Sequence, residues 1–185
     1  MSQDDLTEVT LSSETVFDGK LLHVLRDNAR LPSGNESMRE FIVHPGAVII
    51  IPILPNGNLL LERQFRYPLK QVFIELPAGK IDPNEDILIT GQRELLEETG
   101  YTAEEWQYVA KQHPCIGYSN EVIHIYLARG LTAGQHHRDA DEHLQLFEAS
   151  LDDCLRMVRD GEITDGKTII ALFWAEKLLQ GNWPG

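Results

Sequence analysis

Glu94, Glu97 and Glu98 stand at spacings of three and four residues between the glycine-ended loop Pro77-Ala78-Gly79 and a terminating Gly100. On a helix, at about 100° per residue, such positions share one face, so the three carboxylates crowd together. At roughly 5 Å and an effective dielectric near 20, each like-charge pair costs on the order of 3 kcal/mol in a partly enclosed site. A divalent cation removes that cost, and hard ions such as Mg²⁺ favour carboxylate and carbonyl oxygen while keeping open positions for substrate phosphate. On a fully solvated face the repulsion falls to about a few tenths of a kcal/mol, and the same acids form an ordinary soluble surface. The surrounding residues decide between these readings.

The helix carrying the acids is expected to start at Asp82, with Pro83 at its first position, Glu85 closing a capping box and Gly100 as its left-handed C-terminal cap. Leu88, Gly91 and Leu95 form the stripe that faces a sheet, with Gly91 permitting close packing. Val48 to Leu54 is a near-continuous β-branched run, as expected of a strand covered on both faces. Leu59 to Arg66 returns from the turn Pro55-Asn56-Gly57-Asn58 as its partner, and Gln71 to Leu76 leads into the loop before Gly79. Trp106 to Lys111, Glu121 to Arg129 and Leu144 to Glu148 alternate like strands, while Leu151 to Asp160 and Thr168 to Gln180 read as helices. Mixed strands around two or three helices give an α/β class, arranged as an α/β/α sandwich with a mixed sheet. Ahead of it, residues 1–14 read as a flexible tail and residues 15–44 as an antiparallel hairpin around Pro32-Ser33-Gly34-Asn35, leaving 45–185 as the main domain.

The composition narrows the partners. A chain of 185 residues with 42% apolar and 24% charged residues buries a core without disulfide staples. A formal net charge of −13 opposes binding to nucleic acid or to an anionic membrane, both of which need a positive field. Free nucleotides stay allowed, because a bound metal inverts the local sign. Cys115 and Cys154 are too few and too far apart for a disulfide framework or a zinc site and read as free thiols. The polar, acidic start has no signal-like apolar segment, and no run is long enough to cross a bilayer, so a cytoplasmic setting is expected. His136, His137 and His143 read as parts of a solvated loop between Ala133 and His143.

Gly79, Glu85, Arg93, Glu94, Leu95, Glu97, Glu98, Gly100 and Tyr101 together match every defined position of the Nudix hydrolase motif, and the chain resembles that superfamily. The likeness implies a Nudix-type sandwich that hydrolyses a nucleoside diphosphate linked to another group, with Mg²⁺, or Mn²⁺ in its place, held on the motif helix. From about Gly46 onward the chain is most similar to the ADP-ribose pyrophosphatase branch, through Gln64-Phe65-Arg66, Glu75-Leu76-Pro77-Ala78-Gly79, Gly117-Tyr118-Ser119-Asn120-Glu121 and Asp141-Glu142. Carried over residue by residue, the resemblance makes Glu94, Glu98 and the Ala78 carbonyl metal ligands, with Glu97 close to a further ion. It makes Glu142 the base that deprotonates the attacking water, and Arg66 and Glu121 substrate-binding residues. A planar guanidinium suits phosphate at Arg66, whereas Arg93 is expected to brace the loop through Glu85. Similar enzymes exchange an N-terminal segment, which implies a homodimer built on residues 15–44. The chain departs from the branch at Ile116-Gly117, where Pro-Gly is common, and at Gln145, where a further acid often stands. Tyr118 lies where dinucleoside polyphosphate hydrolases tend to place a tyrosine, so cleavage of those compounds is the alternative activity, and a catalytically silent nucleotide sensor is the non-enzymatic one.

Overall fold

The structure, a computed structural model, describes residues 6–134 and 143–183. The chain divides into two compact units, one taking in the chain up to Pro45 together with Cys115–Glu121, the other Gly46–Pro114 together with the chain from Val122 onward. Residues 115–121, which the sequence places inside the main domain, therefore belong with the N-terminal unit.

The N-terminal unit is a three-stranded antiparallel meander of β1 (Val9–Asp18), β2 (His23–Arg30) and β3 (Glu36–Val43). The expected two-strand hairpin is thus one strand too few, and the expected tail contributes Val9 to Glu14 to β1. The reason is legible in the pairing: Thr10 stands opposite Ala29 and Glu14 opposite Arg26, whose guanidinium binds both Glu14 and Glu40, so polar cross-strand pairs hold a segment that lacks apolar periodicity. Every residue of β1 is exposed.

The second unit carries a mixed four-stranded sheet in the order β7-β4-β9-β8 and an antiparallel three-stranded sheet in the order β10-β5-β6. Their strands are β4 (Ala47–Pro52), β5 (Leu59–Arg66), β6 (Gln71–Glu75), β7 (Ala78–Lys80), β8 (Tyr101–Gln112), β9 (Ile123–Ala133) and β10 (Leu144–Ala149). All of β4 is buried, and its alternating side chains serve opposite faces. Ile49 and Ile51 pack with Leu61, Ile125, Leu127 and Leu172 under α2 (Leu151–Arg159) and α3 (Gly166–Leu179), whereas Val48 and Ile50 pack with Leu95 and Tyr126 under the motif helix. This is the α/β/α sandwich. Burial of β4 on both faces draws it between β7 and a parallel β9, so β5 is not its ladder partner, as the turn at Pro55 suggests, and meets it only in the bridge Ile53–Leu59. Among the described residues no helix is long and apolar enough to cross a membrane.

Candidate active site

The motif helix α1 (Ile87–Glu94) starts later than its sequence indicates. Asn84 adopts a left-handed φ of 64°, which stops a helix from running through it, and Asp86 becomes the N-cap by accepting the Leu88 N–H at 2.8 Å. Half of the expected capping box survives, since Glu85 still accepts the Asp82 N–H at 3.3 Å. Gly91 packs as the sequence predicts: an added Cβ would press on the Trp106 ring and Val48 at 3.3 Å. Beyond Glu94 the helix widens into a π-helical turn, Leu95–Thr99, and ends on Gly100 at φ 74°. The buried Thr99 hydroxyl donates to the Leu95 carbonyl and accepts the Tyr101 N–H, fixing that turn.

Arg93 is the hub of the outer half of the site. Its Nε and Nη2 bind the two Glu85 oxygens at 2.9 Å, Nη2 also reaches the Lys80 carbonyl at 3.1 Å, and Nη1 binds Glu94 at 2.8 Å and Glu97 at 3.0 Å. The fork hydrogen bonds from Arg93, helped by the Thr90 hydroxyl, outweigh the cost of burial and hold the Glu85 carboxyl down to about 2. Through its bonds to Glu85, and then the charge of Glu94, the Arg93 guanidinium is itself pushed further above its usual range. Arg93 therefore braces the loop, as its sequence position predicts.

The inner half is built on β7, whose pairing with β4 turns the supposed loop at Ala78-Gly79 into rigid backbone. Glu98, only 3% exposed, accepts the Ala78 N–H at 3.0 Å. The Glu94 carboxylate lies against Gly79 so closely that a Cβ added there would occupy the same space. Glycine is required at this point for the approach of the acid. Glu94 and Glu97 meet at Arg93 Nη1, whereas the buried Glu98 turns to the Ala78 N–H of β7, and Glu97 is the most exposed of the three. Glu94 and Glu98, set against the Ala78-Gly79 backbone, offer oxygen donors of the kind a hard divalent cation takes. Among the described residues, however, no three such side chains converge closely enough to hold an ion unaided, since Arg93 and the Ala78 N–H already engage them.

Arg66, at the end of β5, lies in the same unit. Its Nε and Nη2 bind the two oxygens of Glu75 on β6, each at 2.7 Å, which leaves the Nη1 hydrogens for another acceptor. Glu75 is buried and also receives Lys167 from α3. Burial pushes the Glu75 carboxyl up, but the Arg66 hydrogen bonds and the Lys167 charge outweigh it and leave the group below its usual range. The sequence places Glu75 in the run that enters the motif without giving it a partner, and it does not mark Lys167. One signal was available: a lysine in the first turn of a helix sits at the positive end of the helix dipole and needs an anion to explain it. Glu121 belongs to the other unit, where its N–H donates to the Ser119 hydroxyl at 3.1 Å and its carboxylate lies 3.6 Å from His44. Glu142, with His136 and His137, lies outside the described residues. Of the cysteines, Cys154 is buried and its thiol is pushed up to about 12 by that burial, while Cys115 is half-buried.

Comparison with known proteins agrees with this arrangement. The family model of the NUDIX domain matches residues 43–171. The chain is 36% identical over 169 residues to the ADP-ribose pyrophosphatase of Bacillus subtilis (strain 168), covering 90% of this chain and 91% of that protein. It is 37% identical over 167 residues to the methanol dehydrogenase activator of Bacillus methanolicus, covering 89% and 90%. A crystal structure of an ADP compounds hydrolase shares the fold with a TM-score of 0.86 at 24% identity, over 95% of this chain and 96% of that one. With the motif complete from Gly79 to Tyr101 and Glu94 and Glu98 set against β7, the chain belongs to the Nudix hydrolase family.

Proposed function

We propose that the protein is a Mg²⁺-dependent pyrophosphohydrolase that splits ADP-ribose, or a related nucleoside diphosphate sugar, into a nucleoside monophosphate and a sugar phosphate. The observation that carries this reading is the meeting of Glu94 and Glu98 with the Ala78-Gly79 backbone, in a chain that is 36% identical to an ADP-ribose pyrophosphatase. Glu94, Glu98 and the Ala78 carbonyl would hold the cation, with Glu97 beside a further one, and Glu94 and Glu97 would exchange Arg93 for it while Arg93 keeps Glu85. The bound cation neutralises charge on the diphosphate oxygens and acidifies water.

The chain's own residues supply the rest. Arg66 donates from Nη1 to a phosphate oxygen, its plane held by Glu75. Glu142 takes a proton from water as the water oxygen bonds to phosphorus, the P–O bond of the anhydride breaks, and the displaced phosphate leaves with the electron pair. Purified protein with Mg²⁺ and ADP-ribose should release AMP and a ribose phosphate; release of AMP from other nucleotides but not from ADP-ribose would remove the substrate assignment. A second reading is cleavage of dinucleoside polyphosphates, favoured by Tyr118, whose ring is exposed and open to stacking. Competition between the two substrates in one reaction decides between them.

The same reading includes a homodimer in a cytoplasmic setting. β1 leaves Val9, Leu11, Val16 and Phe17 exposed, and a meander of three strands with an uncovered apolar edge gains stability from a second copy. Light scattering should give twice the 21.0 kDa chain mass; a monomeric mass would remove the dimer.

A further inference from the structure

The first turn of α3 grips the end of β6 at two consecutive residues. Asp165 caps the helix by accepting the Thr168 N–H at 3.0 Å, and the same carboxylate oxygen receives the Lys167 ammonium at 3.0 Å. The lysine stem is thereby laid across the turn, its head bound to Glu75 and only 17% exposed. One residue further on, the Leu76 N–H donates to the buried Thr168 hydroxyl at 3.0 Å. Lys167 carries its charge at the helix end where the backbone dipole already disfavours a cation, so its position is explained by the anion it meets.

That anion has a second burden. Glu75 stands directly across the β5–β6 ladder from Glu62, and both residues are 1% exposed. Two acids opposed in a buried ladder disfavour each other's charge, and Glu75 is held by two cations, Arg66 and Lys167. Lys167, shared with Asp165, fills the Glu75 oxygen that Arg66 Nη2 also binds. With that oxygen held, the carboxylate plane is fixed, and a bidentate partner fixes the plane of the guanidinium bound to it.

We propose that Lys167 is a positioning residue for the substrate's diphosphate: acting through Glu75, it sets the plane of the Arg66 guanidinium so that Nη1 meets a phosphate oxygen. The inference rests on the reading of Arg66 as a phosphate-binding group. Lys167 touches no reacting atom, and its effect travels through one carboxylate.

The test is a double-mutant cycle on the full chain with Arg66→Ala, Lys167→Met and both together, with Lys167→Arg as the conservative variant. It is read by steady-state kinetics on ADP-ribose at saturating Mg²⁺ and by calorimetric titration of ADP-ribose in EDTA. Lys167→Met should raise KM about tenfold with kcat within about twofold, and weaken metal-free binding by the same factor. In the Arg66→Ala background it should change either quantity by less than about twofold, because its route is already cut. Lys167→Arg should recover most of the loss. Lys167→Gln, which keeps one hydrogen bond to Glu75 and drops the charge, is measured by the same criteria if Lys167→Met does not fold. A Lys167 variant that lowers the melting temperature with KM unchanged, or one whose loss is undiminished when Arg66 is absent, overturns the proposal. Failure elsewhere looks different: a wild-type protein that cleaves no nucleoside diphosphate sugar removes the functional reading, and Arg66→Ala without effect on KM removes the premise about Arg66.

Discussion

Two arginine–glutamate pairs in the second unit are built in opposite senses. At Arg93 the cation is saturated: Glu85, Glu94, Glu97 and the Lys80 carbonyl take its donors, and little remains for a ligand. At Glu75 the anion is saturated: Arg66 and Lys167 fill a buried carboxylate, and Arg66 keeps the donors on Nη1. The same two residue types thus make a closed brace in one place and, in the other, an arginine with donors to spare. What separates them is which partner has been satisfied from behind.

Substitutions can break or sharpen this contrast. The largest effect is expected at neither arginine but at the buried acid: Glu98→Gln should lower kcat about 10³-fold by removing a carboxylate from the proposed cation site, with nucleotide binding largely retained in a metal-free titration. Next comes Gly79→Ala, whose methyl group displaces only the flexible end of Glu94. The Mg²⁺ concentration for half-maximal rate should rise about 10- to 100-fold, with a melting temperature close to wild type; a large loss of stability would show that the Glu94 carboxylate is structural.

Arg66→Ala and Arg93→Ala then test the contrast itself. Arg66→Ala should raise KM about tenfold with little effect on kcat, whereas Arg93→Ala should chiefly lower the melting temperature by freeing Glu85 and the loop before α1. Equal KM effects from the two would erase the distinction drawn above. The smallest effect is that of Glu85→Gln, about 1 kcal/mol of stability at neutral pH. The folded protein holds the Glu85 carboxyl at about 2 against an ordinary 4.5, so between those values the unfolded chain binds more protons. This contribution is full above about pH 4.5 and fades as pH falls toward 2, and denaturation curves of wild type and Glu85→Gln should converge over that window.

The parts of this site written locally were legible in the sequence. The Gly91 contact, the Gly100 cap, the Arg93–Glu85 brace and the central burial of β4 all follow from periodicity and spacing over a few residues. The parts that depend on distant segments were not. β4 and β5 are joined by a strong turn, yet they enter different ladders because β9, some seventy positions later, competes for β4. Lys167 is 92 residues from the glutamate it binds, and nothing near either one announces the other. The first half of β1 escapes for a different reason: polar pairs such as Glu14–Arg26 hold it and all of it is exposed, so burial leaves no regular apolar pattern to read.

The widened turn from Leu95 to Thr99 accommodates more backbone between Glu94 and Gly100 than tight α-helical winding would need. Removing a single residue there should let the segment wind normally, stay helical and keep every acid in the composition. The tighter winding would absorb the missing residue and leave Glu98 within roughly 30° of its present direction about the axis, whereas the same residues wound as an α-helix at full length would turn it by roughly 70°. The directions of Glu94 and Glu98 are therefore set by winding and chain length together, which scanning side chains one at a time does not reach and a one-residue deletion series does.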